Sequence, residues 1–212
     1  MNHAYDFWLF DLDGTIVDVE SSYIHEVCTE CGERLGVSFS AQQAEHLWYG
    51  FGDSREQVLA ETGIEPGQFW DTFHKVDSPG PRAAATHIYP DAATLLEQLD
   101  SPVGLVTHCQ SYLTLPILAT LDIDHWFDTV ICCTDKTGWK PDPEPLEMAM
   151  ADLDVGENGH IGAMVGDDPG DMGAARNAGL EAISVERHDP DRVGDRARGD
   201  RHVTELTELL QY

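Results

Sequence analysis

The chain has 212 residues, with 39 acidic against 12 basic ones and a formal net charge of -27. This length supports one ordinary domain plus an inserted subdomain, and so negative a surface repels nucleic-acid backbone and anionic membranes. Neither is expected as a partner, and with no run of about 18 apolar residues and no basic N-terminal region leading into an apolar one, a cytoplasmic protein is expected.

An apolar strand, Tyr5 to Phe10, runs directly into Asp11-Leu12-Asp13-Gly14-Thr15. From Ile16 to Arg82 the pattern is helical. Ser40-x-x-Gln43 and Ser54-x-x-Gln57 read as capping boxes, and Gly36, Gly50 and Gly63 stand where helices would end. After Pro79-Gly80-Pro81 the pattern changes to strands alternating with helices, which predicts a parallel sheet with crossover connections. The expected order is helix 91–99, strand 103–106, helix 116–121, strand 130–133, helix 145–152, strand 163–165, helix 171–178 and strand 182–185. A charged loop from Glu186 to Asp200 and a last helix from Thr204 complete it. The domains expected are an α/β core of residues 1–15 and 83–212, and a helical insert of residues 16–82.

The acids are spread along the chain and form no block. They read as a solvated surface suited to a very salty cytoplasm, where the screening length shrinks to roughly 3 Å at 1 M, and a halophilic source is expected. Five cysteines form no disulfide framework in a chain of this length. Cys28-x-x-Cys31 has no second pair at zinc-site spacing, so these side chains are expected as buried thiols.

Four features fall where apolar strands end, and in an open parallel sheet the carboxyl ends of strands face one crevice. The first is Asp11 and Asp13, two residues apart, so that the pleat directs both carboxylates the same way. Gly14 after them permits a sharp turn that brings amides to an anion. The second is Thr107, a hydroxyl at the end of Val103 to Val106. The third is Lys140 in Gly138-Trp139-Lys140-Pro141, one of only three lysines. The fourth is Gly166-Asp167-Asp168-Pro169-Gly170-Asp171, whose Asp167 and Asp171 suit a hard cation that wants oxygen ligands.

In this order the four features resemble the motifs of the haloacid dehalogenase superfamily, and within it the phosphoglycolate phosphatase group. The resemblance covers nearly the whole chain, including Tyr89-Pro90-Asp91. It implies a Rossmann-like α/β core with an inserted helical type-1 cap. The activity implied is a magnesium-dependent phosphatase that hydrolyses a small phosphorylated metabolite through a phosphoaspartyl intermediate. Asp11 is then the nucleophile, Asp13 the general acid and base, and Lys140 the charge-offsetting cation. Phosphate would lie against Leu12, Gly14, Thr107 and His108. Mg2+ would be held by Asp11, the Asp13 backbone carbonyl and Asp167, with Asp171 completing or orienting the site.

Two positions depart from the resemblance: His108 stands where Asn is frequent, and Asp168 where a small hydroxyl is frequent. Asp135-Lys136-Thr137-Gly138 matches the phosphorylation motif of ion-pumping ATPases, but Trp139 replaces its closing Thr, so it is read as the loop leading to Lys140. Asp13 argues against haloacid dehalogenation, whose enzymes lack an acid there. A sugar phosphomutase of the same fold is the first alternative, weakened because Tyr23 stands where those enzymes usually carry His. A non-catalytic binding module is the second, weakened because no motif residue is lost. Arg55, in Gly52-Asp53-Ser54-Arg55, is a candidate for substrate specificity: arginine is scarce, and this one follows a turn at a helix start.

Overall fold

The computed structural model describes residues 5–50, 54–156, 159–187 and 198–211. Eight strands and nine α-helices are formed among them: β1 (Phe7–Phe10), β2 (Val17–Val19), α1 (Ser21–Leu35), α2 (Ala41–Tyr49), α3 (Ser54–Thr62), α4 (Pro66–Val76), α5 (Pro79–Ala84), β3 (Thr86–Ile88), α6 (Pro90–Leu96), β4 (Val103–Thr107), α7 (Ser111–Leu121), β5 (Thr129–Cys132), α8 (Glu144–Asp152), β6 (Gly162–Gly166), α9 (Pro169–Asn177), β7 (Glu181–Val185) and β8 (Arg201–Val203). No helix among them is long and apolar enough to cross a membrane.

Six strands form one parallel sheet in the order β5-β4-β1-β6-β7-β8. This is the Rossmann-like α/β fold. The two-residue alternation of β1 serves both faces: Trp8 and Phe10 pack with Leu105, Val165, Ile183 and the α6 side, while Phe7 and Leu9 pack with Met164, Ile131 and the residues of α8 and α9. Every residue of β1 is buried, as expected of a central parallel strand covered by helices on both sides. Because β1 lies between β4 and β6, the chain reverses its direction of sheet growth there, and the crevice over β1 is where a ligand site is expected.

Helices α1 to α4 pack around a separate apolar cluster that includes Ile24, Val27, Leu47, Val58, Phe69 and Phe73. Gly36 and Gly50 close α1 and α2 in the left-handed conformation, and Ser40 forms its capping box with Gln43. Gly63, at φ +69°, follows α3. Cys28 and Cys31 are buried free thiols in this cluster. Burial pushes both pKa values up to about 12, which leaves them inert.

Several expectations change in detail. Residues 16–82 are not wholly helical: β2 pairs antiparallel with β3, making a two-stranded ribbon where the chain leaves and re-enters the α/β layer. The second capping box is not formed, since Ser54 is the first residue of α3 and its buried hydroxyl has no partner among the described residues. Gly52 and Asp53 lie outside the described residues. Helix α7 begins at Ser111, so Pro116 is interior, held there by the burial of Leu113, Ile117 and Leu118. The charged loop after Glu186 leads into β8, which pairs with β7, although residues 188–197 lie outside the described part. The expected last helix is a 3-10 helix, Leu206–Gln211.

Candidate active site

The carboxyl ends of β1, β4 and β6 place Asp11, Thr107 and Asp167 at one edge of the sheet, and the loop after β5 delivers Lys140 to the same place. The Lys140 Nζ donates to Asp11 Oδ1 at 2.6 Å, to Asp171 Oδ1 at 2.6 Å and to the Val106 carbonyl at 2.9 Å. All three donor hydrogens of the ammonium are thereby directed at oxygen. Burial alone would lower the Lys140 pKa, but the Asp11 and Asp171 carboxylates outweigh it and hold it well above the ordinary value. For Asp11 burial is the largest influence and raises the pKa well above the usual carboxylate range; Lys140 opposes it, while Asp171 and Asp167 add to it.

That balance tests whether a cation fits. Carboxylate oxygens of Asp11, Asp167 and Asp171 come within 4.8 Å of one another, so three acids share one ammonium and their donor set is entirely hard oxygen. The group suits a divalent ion. Asp171 is fully buried, with Oδ1 taken by Lys140 and Oδ2 accepting from the Asp168 backbone N–H at 3.0 Å. Both oxygens are committed, so Asp171 is arranged to orient Lys140 more than to ligate. Asp167 is half-buried and accepts from Thr15 Oγ1 at 3.4 Å. Its close approach requires glycine at position 14, at φ +76°: a Cβ there would lie 2.6 Å from Asp167 Oδ2.

Asp168 is the N-cap of α9, accepting from the Gly170 amide at 2.7 Å and completing a reciprocal box with Asp171. This is a structural use of the acid that sequence alone left open. Thr107 is buried, and its Oγ1 accepts from the Cys109 amide at 3.0 Å, which leaves the hydroxyl hydrogen as a donor. His108 is exposed, and its ring lies tilted against that of Trp139, 5.7 Å between centroids. Desolvation, then the Lys140 charge, lower its pKa. Leu12 is buried; its carbonyl accepts from the Ile16 and Val17 amides and so shapes the Asp11–Thr15 turn.

Asp13 has a partner that the motifs do not announce. Its Oδ1 accepts from Nη2 of Arg82, on α5, at 2.5 Å. Arg82 is 3% exposed, with its guanidinium 4.5 Å over the Trp48 ring. The same scarcity of arginine that singles out Arg55 would have singled out Arg82.

Arg55 lies on α3, where burial lowers its pKa against the opposing charges of Asp168 and Glu56. Its fork is committed within the helical segment: Nε donates to the Leu47 carbonyl and Nη2 to the Trp48 carbonyl, both at 2.9 Å, at the end of α2. Gly50 gives it room, since a Cβ there would stand 2.7 Å from the guanidinium carbon. A surface hollow of about 680 Å³ opens elsewhere, between Leu96, Pro102, Trp126 and Leu153, at the opposite end of the strands, and includes none of the site residues.

A family model described as "Haloacid dehalogenase-like hydrolase" matches residues 8–185. The phosphoglycolate phosphatase of Yersinia pestis is 28% identical over 195 residues, covering 83% of this chain and 78% of that protein. The pyrophosphatase PpaX of Oceanobacillus iheyensis is 27% identical over 197 residues, covering 84% and 81%. A solved haloacid dehalogenase-like hydrolase from Streptococcus pneumoniae superposes with a TM-score of 0.77 at 22% identity over 98% of both chains, a likeness of fold. With its motifs assembled on this fold and the match spanning most of its length, the chain belongs to the haloacid dehalogenase-like hydrolase family.

Proposed function

We propose that the chain is a magnesium-dependent phosphatase that hydrolyses a small phosphorylated metabolite through an aspartyl phosphate formed on Asp11. One observation carries the reading: the buried Lys140 ammonium bridges Asp11 and Asp171, 2.6 Å from each, and is anchored by the Val106 carbonyl at the end of β4. A carboxylate is a workable nucleophile toward a phosphate dianion only where fixed cations offset the repulsion. The chain is a phosphoric monoester hydrolase, the class of its phosphoglycolate phosphatase relatives.

In the first half-reaction an Asp11 carboxylate oxygen attacks phosphorus, the bond to the ester oxygen breaks, and Asp13 gives that oxygen its proton. In the second, Asp13 takes a proton from water, whose oxygen attacks phosphorus and releases Asp11 with inorganic phosphate. Lys140 offsets the charge gathered between Asp11 and the phosphoryl group, and the Thr107 hydroxyl and the amides of Leu12 and His108 donate to phosphoryl oxygens; the Gly14 amide, expected to join them, instead donates to the Val17 carbonyl at 2.8 Å and closes the turn. Asp11, the Asp13 backbone carbonyl and Asp167 would hold the magnesium ion, oriented through Asp171. Bound there, it would supply the positive charge that three carboxylates and one ammonium leave short.

Residues 16–82 act in this reading as a cap over the crevice, and the acidic surface suits a cytoplasm of high salt. The phosphomutase alternative is disfavoured because Tyr23, at the position where the sugar mutases of this fold usually carry His, spends its hydroxyl on Asp77 at 2.7 Å. The test is Asp11→Asn, assayed with p-nitrophenyl phosphate and magnesium in molar KCl. Turnover should vanish with the melting curve retained, and beryllium fluoride should protect the parent alone. Activity within about tenfold of the parent would overturn the assignment.

A further inference from the structure

Arg82 is almost fully buried, on a six-residue helix at the end of the segment between β2 and β3. A guanidinium removed from water must find acceptors, and every unmet N–H costs free energy. Among the described residues, Arg82 Nε and Nη1 have no hydrogen-bond partner, whereas Nη2 donates to Asp13 Oδ1 at 2.5 Å. Packing holds the rest of the group. Its plane lies over Trp48, which meets Tyr23 edge-on, and the Tyr23 hydroxyl is bonded to the buried Asp77. The guanidinium therefore cannot swing freely; it feels the buried Asp77 as well, but its one ion pair among the described residues is with Asp13, whose side chain is 32% exposed.

We propose that Arg82 is a positioning residue for Asp13, gripping Oδ1 so that Oδ2 is the atom that carries the proton to and from the reacting oxygens. This rests on the assignment of Asp13 as acid and base. Asp13 stands in the turn after β1 with Gly14, at φ +76°, immediately beyond it, so little in its own segment fixes its rotamer. The grip comes from the helical segment instead. Asp13 is then held for proton transfer when α5 is seated on the α/β layer, where it packs against α7. A carboxylate misplaced by about 1 Å can lose ~100-fold of its effect.

The reaction itself supplies a readout that mere stabilisation would not move. p-Nitrophenolate leaves without needing a proton, and an alkoxide does not. For Arg82→Met and Arg82→Lys, kcat/KM is measured on p-nitrophenyl phosphate and on glycerol phosphate, with Asp13→Asn as the reference and cooperative melting as the check on folding. Arg82→Met should lose roughly 10- to 100-fold more on glycerol phosphate than on the aryl ester, in the same sense as Asp13→Asn. Arg82→Lys, which keeps a donor without the planar fork, should fall between and carries the comparison if the methionine variant does not fold. Equal losses on the two esters, with Asp13→Asn still discriminating, would overturn the positioning role and leave the acid assignment standing. Equal losses in Asp13→Asn would overturn both.

Discussion

Asp171→Ala probes the arrangement behind Asp11, the proposed nucleophile. Asp171 touches no solvent, and its two oxygens accept from the Lys140 ammonium at 2.6 Å and the Asp168 amide at 3.0 Å. A hydrogen bond to a charged group contributes about 1.5–3 kcal/mol, and the reciprocal contact at the N-cap of α9 about 1 kcal/mol. Breaking a buried ion pair outright costs about 3–5 kcal/mol because a bare charge is left behind. Here Lys140 keeps Asp11 and the Val106 carbonyl, so the ammonium is not orphaned and the lower end applies, about 3 kcal/mol. For a chain of this size each kcal/mol moves the melting temperature by about 2–4 °C, giving a fall of about 6–12 °C. Activity should drop ~10- to 100-fold, as when a group that orients a metal-site residue is lost. Asp171→Asn, which keeps an acceptor for Lys140, should lose less of both. The assay is thermal unfolding in molar KCl beside p-nitrophenyl phosphate turnover. A shift below about 3 °C together with activity within about threefold would refute the claim that Asp171 holds Lys140 in place.

The remaining expectations concern the helical segment and the charge. Because the Arg55 fork caps α2 through the Leu47 and Trp48 carbonyls, Arg55→Ala should cost roughly 1 kcal/mol of stability and lower kcat/KM equally on p-nitrophenyl phosphate and on a phosphate ester with a second anionic group; a loss confined to the second ester would return Arg55 to substrate recognition. With a net charge of -27, the melting temperature should climb from 0.1 M to 2 M KCl as the screening length contracts from about 10 Å to below about 3 Å, and a melting temperature indifferent to salt would remove the halophilic reading.

The α/β layer was legible because its strands are apolar on both faces. Phe7-Trp8-Leu9-Phe10 and Val103 to Val106 announce buried central strands without any alternation to interpret, and the motif residues lie where those runs stop. What escaped was short or sustained by partners distant in sequence. Val17–Val19 and Thr86–Ile88 are three-residue strands that pair with each other across the whole helical segment, and the alternation Val17-Asp18-Val19-Glu20 is too short to stand out beside the helical pattern that follows it. Arg201–Val203 is a strand only because β7 offers it an edge. Pro116 misplaced the start of α7 because proline favours the first turn of a helix, while the burial of Leu113, Ile117 and Leu118 outweighs that preference.

The site divides along the same line. Asp11, Thr107, Lys140 and Asp167 each follow a strand or lie in a loop after one, so local order was enough to name them and topology then gathered them. The roles of Asp168 and Asp171 needed three dimensions: one caps α9, and the other feeds the same cap and Lys140 together. Arg55 and Arg82 are the instructive pair, since scarcity marks both and no motif separates them. What separates them is the acceptor each guanidinium meets. Arg55 finds backbone carbonyls at the end of a helix, whereas Arg82 finds the Asp13 carboxylate, two residues from Asp11. The carbonyls exist wherever a helix ends, so the first contact is a matter of packing. The Asp13 carboxylate exists at one place in the chain, so the second ties the helical segment to the chemistry.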